Sequence, residues 1–160
     1  MESCEGVSIR RARSKDLDQL ALLRKELLDL HADLDPYWET TDNWEAPLRA
    51  FMRAGLARPD HVLLVAESDG VAVGYCLASV QKHSNARVVS EVGYIVDLMV
   101  TESMRGRGIG TALFNRTVEW FRSKGLTRAE LKVAVANEPS REFWSSLGFQ
   151  TFMELRSREL

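Results

Sequence analysis

A glycine-rich turn in the second half of the chain carries the residues best suited to binding an anion. The six residues Arg-Gly-Arg-Gly-Ile-Gly at 105–110 follow an apolar run at 94–100 that predicts a β-strand, and a helical pattern begins near Ile109. Backbone N–H groups in the first turn of a helix lack partners within the helix, and the helix dipole adds partial positive charge there. Glycines let the backbone approach a bulky anion, and Arg105 and Arg107 add charge. The pattern therefore predicts a ligand that carries a pyrophosphate.

The spacing of this turn separates three kinds of phosphate-binding loop. A P-loop NTPase needs lysine and then serine or threonine after its last glycine, whereas Gly110 precedes Thr111 and Ala112. A dinucleotide-binding loop needs Gly-x-Gly-x-x-Gly, and here the third glycine comes one residue too early. The spacing that remains, Arg-x-x-Gly-x-Gly, is met by Arg105, Gly108 and Gly110. It resembles the acyl-CoA pyrophosphate loop of the GNAT N-acetyltransferase superfamily.

A second segment, residues 137–149, supports this resemblance, because it is similar to the late helix of the same superfamily. Asn137 is a good N-cap, and Pro139 suits the first helical turn. Gly148 can end the helix in a left-handed conformation, after which Phe149 is expected to begin a final strand. In element order, the resemblance covers the chain from about Val7 to its C-terminus.

The order of predicted elements is β-α-α-β-β-β-α-β-α-β. We therefore expect an α/β fold of mixed α+β character, with a mixed, mostly antiparallel sheet and helices on both of its faces. The resemblance implies the GNAT-like acyl-CoA N-acyltransferase fold, with residues 1–6 as a tail and 7–160 as a single N-acetyltransferase domain. The predicted strands are 7–12, 62–66, 71–80, 90–100 and 129–135. The first predicted helix begins after a cap at Ser14, the second runs over 47–57, and the third runs from 109 to about 124.

The composition of the chain limits the kinds of binding partner that we expect. The chain has 160 residues and a formal net charge of −2, so nucleic acid is not expected as a main partner. Its apolar runs are only a few residues long and its first five residues do not resemble a secretory signal, so we expect no membrane span and a cytoplasmic location. Two cysteines, Cys4 and Cys76, have neither a disulfide framework nor metal spacing. We expect no metal, and the resemblance allows a homodimer.

The sequence has no carboxylate or histidine at the positions expected for a catalytic base. The resemblance implies a glutamate or histidine on the strand before the loop, at positions that fall on Tyr94 and Val96. Tyr94 is a weak base at neutral pH, since its reference pKa is about 10. Asp97 and Glu91 lie nearby, but strand alternation points both away from the Tyr94 face unless a bulge intervenes. Tyr94 is therefore either a cleft residue or an ordinary strand tyrosine, and a water chain could serve as the base.

Trp144 departs from the family pattern, which has tyrosine there as the proton donor to the departing CoA thiolate. An indole N–H can donate a hydrogen bond but cannot release a proton at useful pH. A thiol with a reference pKa of about 8.5 can leave as the thiolate if it is hydrogen-bonded. Trp144 is therefore expected either beside the thiol or packed against the sheet or the pantetheine arm.

The segment between Lys25 and Arg49 contains acids and aromatics but no lysine or arginine. In the family that the chain resembles, this segment forms a wall of the acceptor site. Acids with aromatics suit a cationic amine through Coulomb attraction and cation–π contact, although a solvated acidic face would have the same composition. The residues concerned are Glu26, Asp29, Asp33, Asp35, Glu39, Asp42 and Glu45, with Tyr37, Trp38 and Trp44.

Together these features predict an enzyme that transfers an acetyl group from acetyl-CoA directly to a primary amine of a cationic small molecule. The alternatives are a non-catalytic acyl-CoA-binding module and an acetyltransferase for protein N-terminal amines. Tyr94 and Trp144 are the catalytic candidates, and Asp33, Tyr37, Trp38, Tyr94 and Asp97 are the acceptor-site candidates. The candidates for binding CoA are Leu98, Met99, Val100, Arg105, Gly106, Arg107, Gly108, Ile109, Gly110, Thr111, Asn137 and Trp144.

Overall fold

The computed structural model describes residues 6–160, so Cys4 and all of the predicted tail except Gly6 lie outside the described residues. Five strands and four α-helices follow one another in the predicted order as far as the last helix. They are β1 (Val7–Arg11), α1 (Leu17–Ala32), α2 (Glu45–Ala57), β2 (His61–Ser68), β3 (Val71–Lys82), β4 (Glu91–Val100), α3 (Ile109–Ser123), β5 (Ala129–Leu131) and α4 (Glu138–Ser146).

The strands form one sheet in the order β1-β2-β3-β4-β5. All neighbouring pairs are antiparallel except β4 and β5, which are parallel, as expected for two strands joined through a helix. β2 and β3 are joined by a tight turn in which Asp69 and Gly70 have φ angles of 50° and 81°. The mixed, mostly antiparallel sheet and this hairpin confirm the sequence prediction.

Helices cover both faces of the sheet, because the strands alternate apolar side chains between two separate cores. Leu63 and Val65 of β2 pack with α1 and α2, whereas Val62 and Leu64 pack on the opposite side with α3 and α4. None of the helices in the described part of the chain has the length and apolarity that a bilayer crossing requires.

A bulge interrupts β4 at its centre. Leu77 of β3 lies opposite Asp97, but the next residue of β3, Ala78, lies opposite Ile95, so Val96 is the extra residue. Ile95 and Leu98 pack with the α3 core, while Val96 packs with the α1 core. The bulge therefore changes which residues of β4 share a face.

β4 and β5 pair over only three positions, and the last pair is Ile95 with Leu131. β4 continues for five more residues to Val100. Past the bulge, no described strand pairs with β4 on the side where β5 began. The two strands therefore open a gap that ends at the glycine-rich turn.

Three sequence predictions are wrong. The strand expected over 129–135 ends at Leu131. Residues 150–160 form no strand and are exposed, because β5 is only three residues long and offers little edge for pairing. Ser14 does not cap the first helix, because residues 14–16 form a 3₁₀ turn and α1 begins at Leu17. Asp16 organises that turn by accepting a 2.7 Å hydrogen bond from the Arg13 N–H and by pairing with Arg10 at 2.7 Å.

Candidate active site

The glycine-rich turn presents a row of unpaired backbone donors. Gly106 and Gly108 have left-handed φ angles of 72° and 77°, and Gly108 is the N-cap of α3. The first N–H of this helix to find a backbone acceptor is that of Ala112, which donates to the Gly108 carbonyl at 2.9 Å. For the N–H groups of residues 106–111, no acceptor occurs among the described residues. Left-handed glycines followed by a helix N-terminus form an anion-binding concavity.

Gly110 has a second role, in packing. A Cβ atom at this position would lie 3.3 Å from Cζ of Phe143 and 3.7 Å from Cδ2 of Leu98. Because glycine has no side chain, Gly110 lets α3 approach α4 and β4 closely. The conformation of the turn itself depends on the left-handed φ angles of Gly106 and Gly108.

The two arginines of the turn behave differently. Arg105 folds back so that its Nε donates to the Val100 carbonyl at 2.9 Å, which fastens the turn to the end of β4. Arg107 is exposed, and no hydrogen bond from its side chain to another described residue occurs. Arg105 therefore orders the loop, and Arg107 is available to a ligand.

Leu98, Met99 and Val100 differ in where their backbone groups point. The Thr101 N–H donates to the Val73 carbonyl across β3 and β4 at 2.9 Å. Because hydrogen-bonded positions alternate along an antiparallel pair, Met99 also directs its backbone groups to β3. Leu98 and Val100 then direct theirs into the gap beyond β5. The Val100 carbonyl is already bound by Arg105 Nε, so an extended ligand chain could pair with the Leu98 groups and the Val100 N–H.

Asp97 is the most heavily engaged acid of β4. Its Oδ2 pairs with the Arg24 guanidinium and accepts a 3.2 Å hydrogen bond from the Tyr75 hydroxyl. The Asp97 side chain is only 13% exposed, and burial raises its pKa, while the charge of Arg24 opposes that rise. The guanidinium also lies 3.4 Å above the centre of the Phe51 ring.

The two oxygens of the Asp97 carboxylate have different surroundings. Both described partners bind Oδ2, and Oδ1 has none among residues 6–160. Among the described residues, Arg24 Nε is fully buried and has no hydrogen-bond partner. Asp97 Oδ1 also lacks a partner but is not fully buried. Asp97 therefore has one oxygen fixed and one free to accept a donor from outside.

Tyr94 lies on the same side of the site as Asp97. It is half-buried, and burial raises the pKa of its phenol, with further contributions from the charges of Asp97 and Glu130. Strand alternation alone would have separated Tyr94 from Asp97, but the bulge at Val96 removes that separation. At neutral pH Tyr94 is a hydrogen-bond donor and not a base.

The predicted acceptor wall lies at the end of α1 and in the turn that follows it. Tyr37 is 83% exposed and its ring meets Trp38 edge-on at 5.5 Å, while Trp38 also packs against His31 at 5.2 Å. Asp33 is exposed at the C-terminus of α1, and Asp35 caps the turn by accepting from the Tyr37 N–H at 2.9 Å.

Besides Asp35, two of the acids in this segment have structural partners. Glu26 accepts hydrogen bonds from the hydroxyl and backbone of the β4–α3 connection, at 3.1 Å from Thr101 Oγ1 and 3.3 Å from the Glu102 nitrogen. Asp29 pairs with Lys25 along the helix. Four acids have neither an ion pair nor a side-chain hydrogen bond within the described chain, namely Asp33, Glu39, Asp42 and Glu45.

Trp144 lies in the core between α3 and α4. Trp144 is only 7% exposed. Its ring meets those of Phe114, Phe143 and Phe149 at centroid distances of 5.9, 4.9 and 5.3 Å. These contacts favour the packing interpretation over the thiol-site one. Asn137 caps α4 as its sequence position suggested, accepting from the Ser140 N–H at 3.1 Å.

Sequence reasoning missed Arg24, Tyr75 and His31. Arg24 follows Leu20 by four residues and His31 follows Arg24 by seven, so both interrupt the apolar stripe of α1. A polar residue on such a stripe was a usable signal. Tyr75 lies within an apolar strand and had no local signal at all.

The chain matches the acetyltransferase (GNAT) family over residues 24–149. It is 31% identical over 143 residues to an uncharacterized N-acetyltransferase of Methanocaldococcus jannaschii, a match that spans 89% of this chain and 60% of that relative. It is 30% identical to an N-alpha-acetyltransferase of Sulfurisphaera tokodaii, over 92% of this chain and 83% of that protein. It is 25% identical to the aminoglycoside N(6')-acetyltransferase type 1 of Klebsiella aerogenes, over 73% and 77% of the two chains.

Solved structures share the fold. A variant of the BH1408 protein of Bacillus halodurans matches with a TM-score of 0.85 and 22% identity, over 96% of this chain and 99% of that one. The aminoglycoside N-acetyltransferase AAC(6')-Iy, in complex with a CoA-S-monomethyl-acetylneamine bisubstrate analog, matches with a TM-score of 0.79 and 22% identity, over 98% and 99%.

Proposed function

The chain belongs to the acetyltransferase (GNAT) family, and we propose that it transfers the acetyl group of acetyl-CoA directly to a primary amine of a cationic small molecule. The observation that carries this proposal is the free Oδ1 of Asp97. That oxygen belongs to a residue at the bulge where β4 parts from β5, and Arg24 of α1 and Tyr75 of β3 hold the other oxygen.

The donor substrate fits along β4 and its turn. The free N–H groups of residues 106–111 would bind the pyrophosphate, with the charge of Arg107 added at the rim. The pantetheine arm would lie in the gap beside β4 and pair with the backbone of Leu98 and the N–H of Val100, as a short added strand. This placement brings the thioester toward the bulge, where a backbone N–H can polarise its carbonyl.

The acceptor would approach from the α1 side. Its ammonium would donate to Asp97 Oδ1, while Arg24 and Tyr75 hold the other oxygen. Trp38 and Tyr37 supply aromatic faces for a second cationic group, and Asp33 adds negative charge nearby. An acceptor with two positive charges therefore makes more contacts than an acceptor with one.

Direct transfer agrees with the environment of the one described cysteine. Cys76 is fully buried on the α3 side of the sheet, and burial raises the pKa of its thiol to about 12. Its described polar contact is the Thr117 hydroxyl at 3.3 Å. A buried thiol in that state does not take up an acetyl group from acetyl-CoA.

A series of primary amines of similar size that carry zero, one or two further positive charges tests the acceptor class. We expect the lowest KM for the doubly charged acceptors, and we expect the preference to shrink with added salt because exposed charges are screened. Asp97→Asn should raise KM for every charged acceptor while CoA affinity stays at the wild-type value. Asp60→Asn, on the β2 side, is the matched control.

Faster reaction of neutral or acidic amines at low salt would contradict the cationic acceptor. The rival within the enzyme class is a protein N-terminal amine, which the Sulfurisphaera relative makes reasonable. Short peptides with free N-termini belong in the same panel. Preference for those peptides over diamines, independent of peptide charge, would favour the rival.

A further inference from the structure

His31 lies on the face of α1 from which Arg24 reaches Asp97. It follows Arg24 by seven residues, about two helical turns, so the two side chains lie on one face of the helix. That face packs on β3 and β4, and Arg24 reaches Asp97 from it. The His31 imidazole is half-buried and is backed by the Trp38 ring at 5.2 Å and an interplanar angle of 42°.

The charged and titratable groups around this imidazole come from α1, the turn that follows it, and the strands β3, β4 and β5. β4 contributes Asp97 and Tyr94, β3 contributes Tyr75, and α1 itself contributes Arg24, which compensates the Asp97 carboxylate. Glu130 of β5 lies on the Tyr94 side and is paired with Arg128. The turn after α1 presents the uncharged Trp38 together with the exposed carboxylates of Asp33 and Asp35. Burial lowers the pKa of His31 from its usual 6.5, and the charge of Asp97 only partly opposes this effect. The ring is therefore neutral at pH 7.

We propose that His31 is the general base of this enzyme, an inference that rests on the proposed acetyl transfer. The acceptor arrives as an ammonium held by Asp97, and one imidazole nitrogen of His31 takes one of its protons. The amine nitrogen then attacks the thioester carbon, forming the N–C bond, and collapse of the tetrahedral intermediate breaks the C–S bond. The second proton of the nitrogen goes to the departing thiolate, and His31 returns its proton to solvent.

This assignment explains how the site works without an acid at the two expected positions of β4. Val96 has no titratable group, and Tyr94 holds its proton at neutral pH. Asp97 is committed to Arg24 and Tyr75 through one oxygen and to the ammonium through the other. An imidazole that is neutral at pH 7 is the appropriate base, because base catalysis is most effective when the pKa is near the working pH.

The test compares wild type with His31→Gln, which keeps a polar side chain against Trp38 but cannot take a proton. With an acceptor of high pKa, kcat/KM of the wild type should fall on the acid side with an apparent pKa below 6.5. In His31→Gln we expect kcat to be lower by about 10²–10⁴-fold, and we expect the acid limb to be absent. His83→Gln, in the β3–β4 connection, is the matched control and should retain both rate and profile.

Additional measurements separate a loss of the base from a loss of folding or of CoA binding. CoA affinity by calorimetry and the unfolding curve of each variant establish that the proteins compared are folded. A wild-type profile with no acid limb would overturn the proposal even if His31→Gln could not be purified. A folded His31→Gln with the wild-type rate and profile would overturn it as well. Absence of turnover by the wild type on any amine would instead contradict the proposed function itself.

Discussion

The Tyr75 hydroxyl on β3 donates a hydrogen bond to Oδ2 of Asp97 on β4, at 3.2 Å, although the two residues are not directly opposite in the sheet. Arg24 on α1 pairs with the same oxygen. Three elements therefore fix the orientation of one carboxylate and leave its second oxygen free. The orientation of Asp97 is a property of the packed sheet and helix, not of β4 alone.

Removing each of the two partners of Asp97 separately should lower the free energy of unfolding by different amounts. Tyr75→Phe removes one neutral hydrogen bond, worth about 0.5–1.5 kcal/mol, while the charge pair remains. Arg24→Met leaves a mostly buried carboxylate without its countercharge, which costs about 3–5 kcal/mol when the pair is fully buried. Urea unfolding at neutral pH should rank Arg24→Met well below Tyr75→Phe. Arg58→Met, in an exposed pair with Asp60, is the control. Equal losses for the two site variants would show that Asp97 does not depend on its countercharge.

Much of this arrangement could be predicted from the sequence, and the rest depends on contacts between distant segments. The turn at 105–110 and the cap at Asn137 are local patterns whose physical meaning is complete within a few residues. The bulge at Val96 has no local signature, so the shared face of Tyr94 and Asp97 could not be inferred. The final strand was expected from the residues after Phe149, but a strand needs a partner edge, and only the fold reveals that β5 is short.

CoA binding should depend on the left-handed glycines of the turn more than on its exposed arginine. Gly108→Val places a β-branched residue at a φ of 77° and displaces several backbone donors, each worth about 1.5–3 kcal/mol toward a charged group. Arg107→Ala removes only one exposed charge. Calorimetry should detect no CoA binding to Gly108→Val and a modest weakening in Arg107→Ala. Wild-type affinity in Gly108→Val would place the pyrophosphate elsewhere.

Gly93 is required where β4 passes under α3. A Cβ atom there would lie 2.6 Å from Cδ1 of Phe121, a buried ring with little room to move. Gly93→Ala should therefore destabilise the protein by about 1–3 kcal/mol, the usual cost of overpacking. Gly55→Ala is the comparison, since its new methyl group would meet the end of the flexible Leu77 side chain at 2.8 Å. Chemical unfolding of both variants checks the order, and a larger loss at Gly55 would contradict this account of Gly93.

Substitutions of Trp144 should lower the stability of the protein more than its rate of acetyl transfer. Trp144→Ala empties part of the aromatic cluster between α3 and α4 and should cost about 3–5 kcal/mol, whereas Trp144→Phe should cost less. The acetylation rate per folded, CoA-bound molecule should be the same for Trp144→Phe and wild type. A lower kcat in Trp144→Phe at equal folded fraction and equal CoA affinity would restore a role beside the thiol.

The central claim is that this chain catalyses acetyl transfer to an amine and does not merely bind acyl-CoA. The direct measurement is the steady-state release of free CoA from acetyl-CoA by wild type and Asp97→Asn, with the amine product identified by mass spectrometry. We expect release that requires a cationic primary amine, equimolar formation of the N-acetylated amine, and a raised KM in the variant. Tight binding of acetyl-CoA without amine-dependent release for any member of the panel would contradict the claim and favour a binding module.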